Sequence, residues 1–467
     1  MDFVIRVVLL EYTLLVASAT VLAFVVLGVL YSRGRVKTVE DYVVARRSLG
    51  IPGAIGTCVA SGLGAWILFS PPEAAITGGL IALIGYGIGS ATPLLAFAYL
   101  GPRIIKAMPG GASISEYVNH RYGTSMRYIV AGVSTFYMFI FLSAELTAIS
   151  LAFNLVAGVP LVITALLVGG TVVAYTAYGG LRASLFTDRV QAGAIIVLLT
   201  IIVGWTLIIT ELKPFIGITS SHPHLIDLGF PPGVEFAIVL VVAIPSANLF
   251  HQGYWQRLYA CKDERVIRIG FLTSSVVVVP IVVLAGLLGL VAIGLNLVEH
   301  PSLASFALMS NLFSDLLVLL MLILALALVS SSLDTLFNGL ASLFSFEFSR
   351  SSLGANKKTA LTWARIATII IAAPTIAIAS QGLSVLYLFL VADLICAAAV
   401  APVYSGLISK KITSLQAAVA FGLGLTIGVP LFMQNMLLQS FIMAFFVPIG
   451  ILASIVLVKH KIRQHQH

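Results

Sequence analysis

Apolar runs of membrane-spanning length follow one another along almost the whole chain, separated by short polar stretches. A helix needs about 20 mostly apolar residues to cross a bilayer. By that measure roughly thirteen spans are expected, over 7–31, 51–77, 79–106, 126–157, 159–178, 188–212, 235–254, 267–296, 314–346, 361–380, 383–407, 414–433 and 438–459. The first run is too long for a signal-peptide core and no small-residue cleavage site follows it, so it reads as a retained helix. The pattern therefore predicts an all-α polytopic membrane protein, with 1–467 forming a single membrane domain.

Basic residues sort these spans into a topology. Arg33, Arg35, Lys37, Arg46 and Arg47 follow span 1; Lys106, Arg121 and Arg127 follow span 3; Arg182 and Arg189 follow span 5. Arg257, Lys262, Arg265 and Arg268 follow span 7, and Arg350, Lys357, Lys358, Lys410, Lys411, Lys459, Lys461 and Arg463 continue the alternation. Odd-numbered spans thus end in basic loops, which the positive-inside rule places in the cytoplasm, with the N-terminus outside and the C-terminus inside. The Pro- and Gly-rich stretch 213–234 divides 51–212 from 235–407, two groups of five spans. An odd number per group gives the second the opposite orientation, the signature of an inverted repeat. The segment 7–31 is then an extra N-terminal helix and 414–459 two C-terminal ones.

Composition agrees. Of 467 residues, 60% are hydrophobic and 9% charged, against about 25% charged in a soluble chain. The net charge of +8 belongs to cytoplasmic loops and is not read as nucleic-acid binding. Three widely spaced cysteines suggest neither a disulfide framework nor a metal site. No phosphate loop, nucleophile elbow or HExxH motif supports an enzyme.

The first span of each group is interrupted. "TCVASGLGAWILFSPPEAA" carries Gly62, Gly64, Pro71 and Pro72; "VVAIPSANLFHQGYWQRL" carries Pro245, Ser246, Asn248, His251, Gln252 and Gly253. Backbone freed at membrane depth must be buried in protein or line a cavity, and such breaks are where transporters hold substrate and ions. In span 9, Ser330, Ser331, Asp334 and Thr335 share a helix face. Hydroxyl and carboxylate oxygens there suit a hard cation; bonding to backbone carbonyls or to neighbouring helices is the simpler use of the same hydroxyls.

Four blocks, "SGLGAWILFSPPEA" (61–74), "YTAYGGLRASLFTDRVQAG" (175–193), "HQGYWQRLYACKDERVIR" (251–268) and "SSSLDTLFNGLASLFSFEF" (330–348), resemble in order and spacing those of the sodium:solute symporter family. The resemblance implies the five-plus-five inverted-repeat fold of the leucine transporter and sodium-coupled uptake by alternating access. It places sodium on the side chains of Ser331 and Ser332 and the carbonyls of Ala60, Leu63 and Leu328, with Asp188 on the ion's exit path. Asp334 and Thr335 are candidates for a second cation, or Asp334 for proton coupling. Proline-transporting members carry aspartate where this chain has Gly62, whereas Trp66 matches them.

Further solute-binding candidates are Gly62, Trp66, Glu73, Glu145, His251, Gln252, Tyr254 and Trp255. Glu73 follows the second proline of the first break, and Glu145 sits deep in span 4. Asp393 in span 11 is a candidate for the inner pathway. For the aromatics, packing or interface anchoring is the commoner role. The expectation is a sodium-coupled symporter in the plasma membrane, importing a small organic solute, with proline or a similar zwitterion foremost. A proton-coupled symporter of the same fold and a non-transporting solute sensor are the alternatives.

Overall fold

The computed structural model describes residues 44–211, 213–349 and 356–464, together with scattered positions between 15 and 30. The helix expected over 7–31 lies mostly outside the described residues, as do Arg33, Arg35, Lys37, Arg350 and the side chains of Arg182, Arg189, Lys357, Lys358, Lys461 and Arg463. All described elements are helical, apart from a lone parallel bridge between Leu49 and Cys261. Cys58, Cys261 and Cys396 are free and buried.

The first broken span is three pieces. Helix α1 (Ile51–Gly62) ends at Gly62, Leu63 and Gly64 are extended, and a 3-10 turn (Ala65–Leu68) leads into α2 (Ser70–Ala107). The expected boundary between spans 2 and 3 falls at Gly79, whose φ of 70° bends α2 without ending it. The second broken span is α7 (Pro231–Asn248), a non-helical Leu249–His251, and α8 (Gln252–Ala260), whose first turn is capped by the His251 ring. Between the breaks lie α3 (Ile114–Tyr122), α4 (Thr124–Ala157), α5 (Leu161–Thr210) and α6 (Lys213–Ser221). After α8 come α9 (Glu264–Gly294), α10 (Ala304–Leu312), α11 (Asp315–Ser349), α12 (Lys357–Ala379), α13 (Val385–Ile408), α14 (Ser414–Met433) and α15 (Leu437–Gln464).

Among the described residues ten helices are long and apolar enough to cross a membrane. The three further expected spans are 7–31, the segment 51–77 split by its break, and 159–178, of which Leu161–Val173 is a shorter apolar helix. The turn expected between 178 and 188 does not appear: the helical backbone of α5 runs through it. That stretch holds no proline, and its glycine pair lowers helix propensity without removing a hydrogen-bond donor. The short helices α3, α6 and α10 leave no signal in an apolar-run pattern, because nine residues are too few to span.

Packing brings the two halves together. Helix α2 lies along α9 and α7, while α11 packs on α5, α12 and α4, and touches α1 near its end. The loops after the odd-numbered spans meet at one end of the bundle. Arg46 donates to the carbonyls of Pro109, Gly110 and Gly111; Lys106 pairs with Glu264 at 3.1 Å; Arg121 donates to the carbonyls of Gly406, Ser409 and Ile412. The entry to α1 is tied to the exit of α8 at the same end, by Leu49 N to Ala260 O (2.9 Å) and Lys262 N to Leu49 O (3.0 Å). At the opposite end Glu73 accepts from Ser302 (2.9 Å) and Ser384 (2.9 and 3.1 Å), joining the start of α2 to the segments before α10 and α13.

A Cβ at Gly79 would lie 2.4 Å from the Leu225 carbonyl oxygen, in a left-handed conformation. Gly79→Val is therefore expected to cost about 1–3 kcal/mol or more in a detergent-micelle unfolding titration, while Gly132→Ala, where a Cβ meets nothing within 4 Å, leaves the midpoint essentially unchanged.

Candidate functional site: two helix breaks and a buried ionic network

A helix end leaves its last carbonyls without intrahelical partners, and inside a membrane protein these must be answered locally. The two breaks are answered differently. At the second, the Leu249 carbonyl accepts from Trp255 Nε1 (3.0 Å) and the Tyr404 hydroxyl (2.8 Å), and the Phe250 carbonyl accepts from Ser134 (2.8 Å). Protein side chains close that break. At the first, the Ala60 carbonyl accepts from Leu63 N at 3.2 Å and faces the Ser331 hydroxyl at 3.3 Å, and among the described residues no donor reaches the Leu63 carbonyl. Ser332 lies one residue on, its hydroxyl 3.3 Å from the Leu328 carbonyl and 3.1 Å from that of Val329. Ala60, Leu63, Leu328, Ser331 and Ser332 are all essentially buried. Their oxygens form a hard donor set at the junction of α1 and α11, which fits a sodium ion.

Directly behind it lies a buried network. Ser331 Oγ donates to Asp188 Oδ1 at 2.8 Å; Asp188 Oδ2 accepts from Thr57 (2.6 Å) and from Arg257 Nη2 (2.8 Å). The guanidinium also donates to Thr335 Oγ1 (2.8 Å), Thr57 Oγ1 (3.1 Å) and the Gly253 carbonyl (3.2 Å). Asp334 accepts from Ser184 at 2.8 Å and from Thr187 at 3.3 Å. The side chains of both Asp188 and Arg257 are fully buried. By sequence Arg257 counts among the cytoplasmic basic residues; the structure corrects this, because it is the interior partner of Asp188. Its spacing from Gly253, one helical turn, was the available signal, and the positive-inside pattern masked it.

Of the solute candidates, Gly62 and Trp66 line a partly open cavity of about 40 Å³ between the breaks. Its other walls include Tyr86, Tyr137, Phe141, Asn248, Phe389 and Asp393. Trp66 stacks on Tyr86 with centroids 5.7 Å apart, and Phe141 meets Phe389 edge-on at 4.9 Å. Tyr254 fills the space beside Gly62, so a side chain at that position would have to displace its hydroxyl. Glu145 reaches from α4 to the first break, its Oε2 accepting from Ala65 N at 2.7 Å.

The remaining candidates sit elsewhere. His251 caps α8, with its ring edge-on to Tyr137 and Phe141. Gln252 anchors the segment before α3 through the Ala112 carbonyl (2.7 Å) and Ile114 N (3.2 Å). Tyr254 and Trp255 pack on Phe97, and Glu73 belongs to the clasp at the far end. Asp393, placed by sequence on an inner pathway, instead lines the central cavity.

Two halves that each open on a broken helix, with a central cavity between the breaks beside a cluster of buried oxygen donors, have the architecture of a secondary transporter. The chain belongs to the sodium:solute symporter family, whose model matches residues 42–424. It is 28% identical over 391 residues to the spermidine transporter DUR31 of Candida albicans, covering 82% of this chain and 73% of that protein. It is 24% identical over 277 residues to the osmoregulated proline transporter OpuE of Bacillus subtilis, covering 56% of this chain and 55% of that one. In fold it matches a Na+-coupled sialic acid symporter solved in a substrate-bound outward-open state, with a TM-score of 0.75 and 15% identity over 94% of this chain and 96% of that one. The family and the structural neighbour are transporters rather than enzymes.

Removing one member of a buried ion pair strands the other charge. Arg257→Ala is expected to cost about 3–5 kcal/mol in the same unfolding titration. Replacing Arg257 and Asp188 together by methionine should cost markedly less, because no charge is left unpaired.

Proposed function

We propose that this chain is a sodium-coupled symporter that imports a small amine-bearing organic solute across the plasma membrane, with its N-terminus outside. The observation that carries the reading is the asymmetry of the breaks. Side chains satisfy the carbonyls at Leu249 and Phe250, while the Ala60 carbonyl faces Ser331 and, among the described residues, no hydrogen bond reaches that of Leu63. A sodium ion held there joins α1 to α11 and fixes the geometry of the first break, two residues from cavity-lining Gly62. Sodium thereby raises solute affinity, and by linkage the solute raises sodium affinity equally.

The loaded carrier then exchanges which end is sealed. The Glu73 clasp closes the outer end, and the contacts of Arg46, Lys106 and Arg121 close the inner one. Sodium leaves past Asp188, which already touches Ser331. Asp334 and Thr335, on the same network, are the place for any second cation. The membrane potential contributes about 2.3 kcal/mol per charge per 100 mV, enough for roughly fifty-fold accumulation per ion. An amine is common to the solutes named for the two relatives, spermidine and proline, and the cavity carries a carboxylate, Asp393.

Uptake into proteoliposomes under an inward sodium gradient tests the reading. Ser331→Ala and Ser332→Ala are each expected to lower sodium-driven uptake about tenfold or more, the loss of one ligand worth about 1.4 kcal/mol. Equal uptake under a proton gradient without sodium would overturn the assignment of the ion.

A further inference from the structure

In transporters built on broken helices, the N-terminal end of a half-helix offers free backbone N–H groups to an anionic part of the substrate, such as an amino-acid carboxylate. Here a protein carboxylate already holds that position. Glu145 Oε2 accepts from Ala65 N at 2.7 Å, at the first residue of the 3-10 turn that leads from the break into the half-helix α2. The backbone is shaped around it: a Cβ at Gly64 would stand 1.9 Å from Glu145 Oε1. Oε1 itself is buried, and Ser332 and the Trp66 N–H stand beside the same carboxylate. An incoming carboxylate would find the donor taken and a second carboxylate behind it.

The cavity in front of the break has the opposite preference. Its only ionisable carboxylate is Asp393, and none of its lining residues is lysine or arginine. Asp393 is 4% exposed, and among the described residues no hydrogen bond or ion pair reaches it. Around it stand the rings of Trp66, Tyr86, Tyr137, Phe141 and Phe389. Aromatic faces and an unpartnered carboxylate together recognise an organic ammonium, by cation–π attraction and a charge-assisted hydrogen bond.

Resting on the reading of this cavity as the solute site, we propose that the solute is an organic cation without a carboxylate, a mono-, di- or polyamine. Its ammonium sits between Asp393 and the rings, and Glu145 takes the backbone position that a zwitterion's carboxylate would need. At about 40 Å³ the cavity exceeds the roughly 10–15 Å³ that one water molecule needs, which leaves room for a small ammonium head group. A longer amine must part the helices to extend beyond it.

Matched pairs that differ only in the carboxylate decide the matter. The purified full chain in sodium-containing detergent is titrated with labelled cadaverine and lysine, and both are offered to proteoliposomes under an inward sodium gradient. Cadaverine is expected to bind at least about tenfold more tightly than lysine. Asp393→Asn should abolish that binding while the unliganded protein keeps its unfolding midpoint, and Asp393→Glu, which keeps the charge, should retain part of it. Glu145→Gln should narrow the gap between the two ligands. Lysine or proline binding more tightly than the amine, amine binding indifferent to Asp393→Asn, or no amine binding would overturn the proposal. The transport assay separates the two readings. Sodium-driven uptake of proline but not amines sinks the cation proposal and leaves the symporter standing. Amine binding lost in Asp393→Asn, without any sodium-driven flux, does the reverse.

Discussion

The interior of this bundle is organised around a charge pair that could not exist there alone. Moving a guanidinium or a carboxylate out of water costs several kcal/mol per ion even after relaxation. Arg257 and Asp188 meet at 2.8 Å with both side chains fully buried. Their remaining hydrogen-bonding capacity is met by Thr57 on α1, Gly253 on α8, and Ser331 and Thr335 on α11. One pair thus fixes the mutual positions of four helices, two of them pieces of the broken spans. The oxygen donors of Ala60, Ser331 and Ser332, proposed to hold sodium, are assembled on that frame. A sodium ion at Ser331 would share its ligand with Asp188, so ion binding and the network cannot be independent.

Much of the fold was legible because lipid imposes simple rules. Apolar run length gave most spans, the basic loops gave an alternation, and the glycines and prolines of 61–72 and 245–253 marked both breaks where the helices do end. The site was legible where a residue type is expensive at its depth, as for Asp188, Glu145 and Asp393. It was illegible where meaning depends on who stands opposite. Tyr86, Tyr137, Phe141 and Phe389 read as ordinary packing aromatics until the fold gathers them around Asp393. Gln252 and Trp255 read as solute contacts because they sit beside a break, yet their polar atoms serve the backbone of α3's approach and of the break itself. Arg257 was misplaced for the converse reason: loop-like spacing outweighed the single neighbour that identifies it.

The same geometry bears on how two ligands are coupled through so short a stretch. Within six residues α1 and the following turn present the Ala60 carbonyl to Ser331, the wall of the cavity at Gly62, and the Ala65 N–H to Glu145. None of these can shift far without the others, because Leu63 and Gly64 are the only residues between helix and turn. Glu145 therefore anchors the cavity side of the break, while on the proposed reading the other side would depend on a sodium ion that comes and goes. A break anchored at one end and ion-dependent at the other has one adjustable edge. That edge borders the cavity at Gly62 and Trp66, where the site must admit its solute. On the proposed reading coupling would need no long-range pathway: an ion at Ala60 would bear on Leu63 and Gly64, and the adjoining Gly62 is a wall of the cavity.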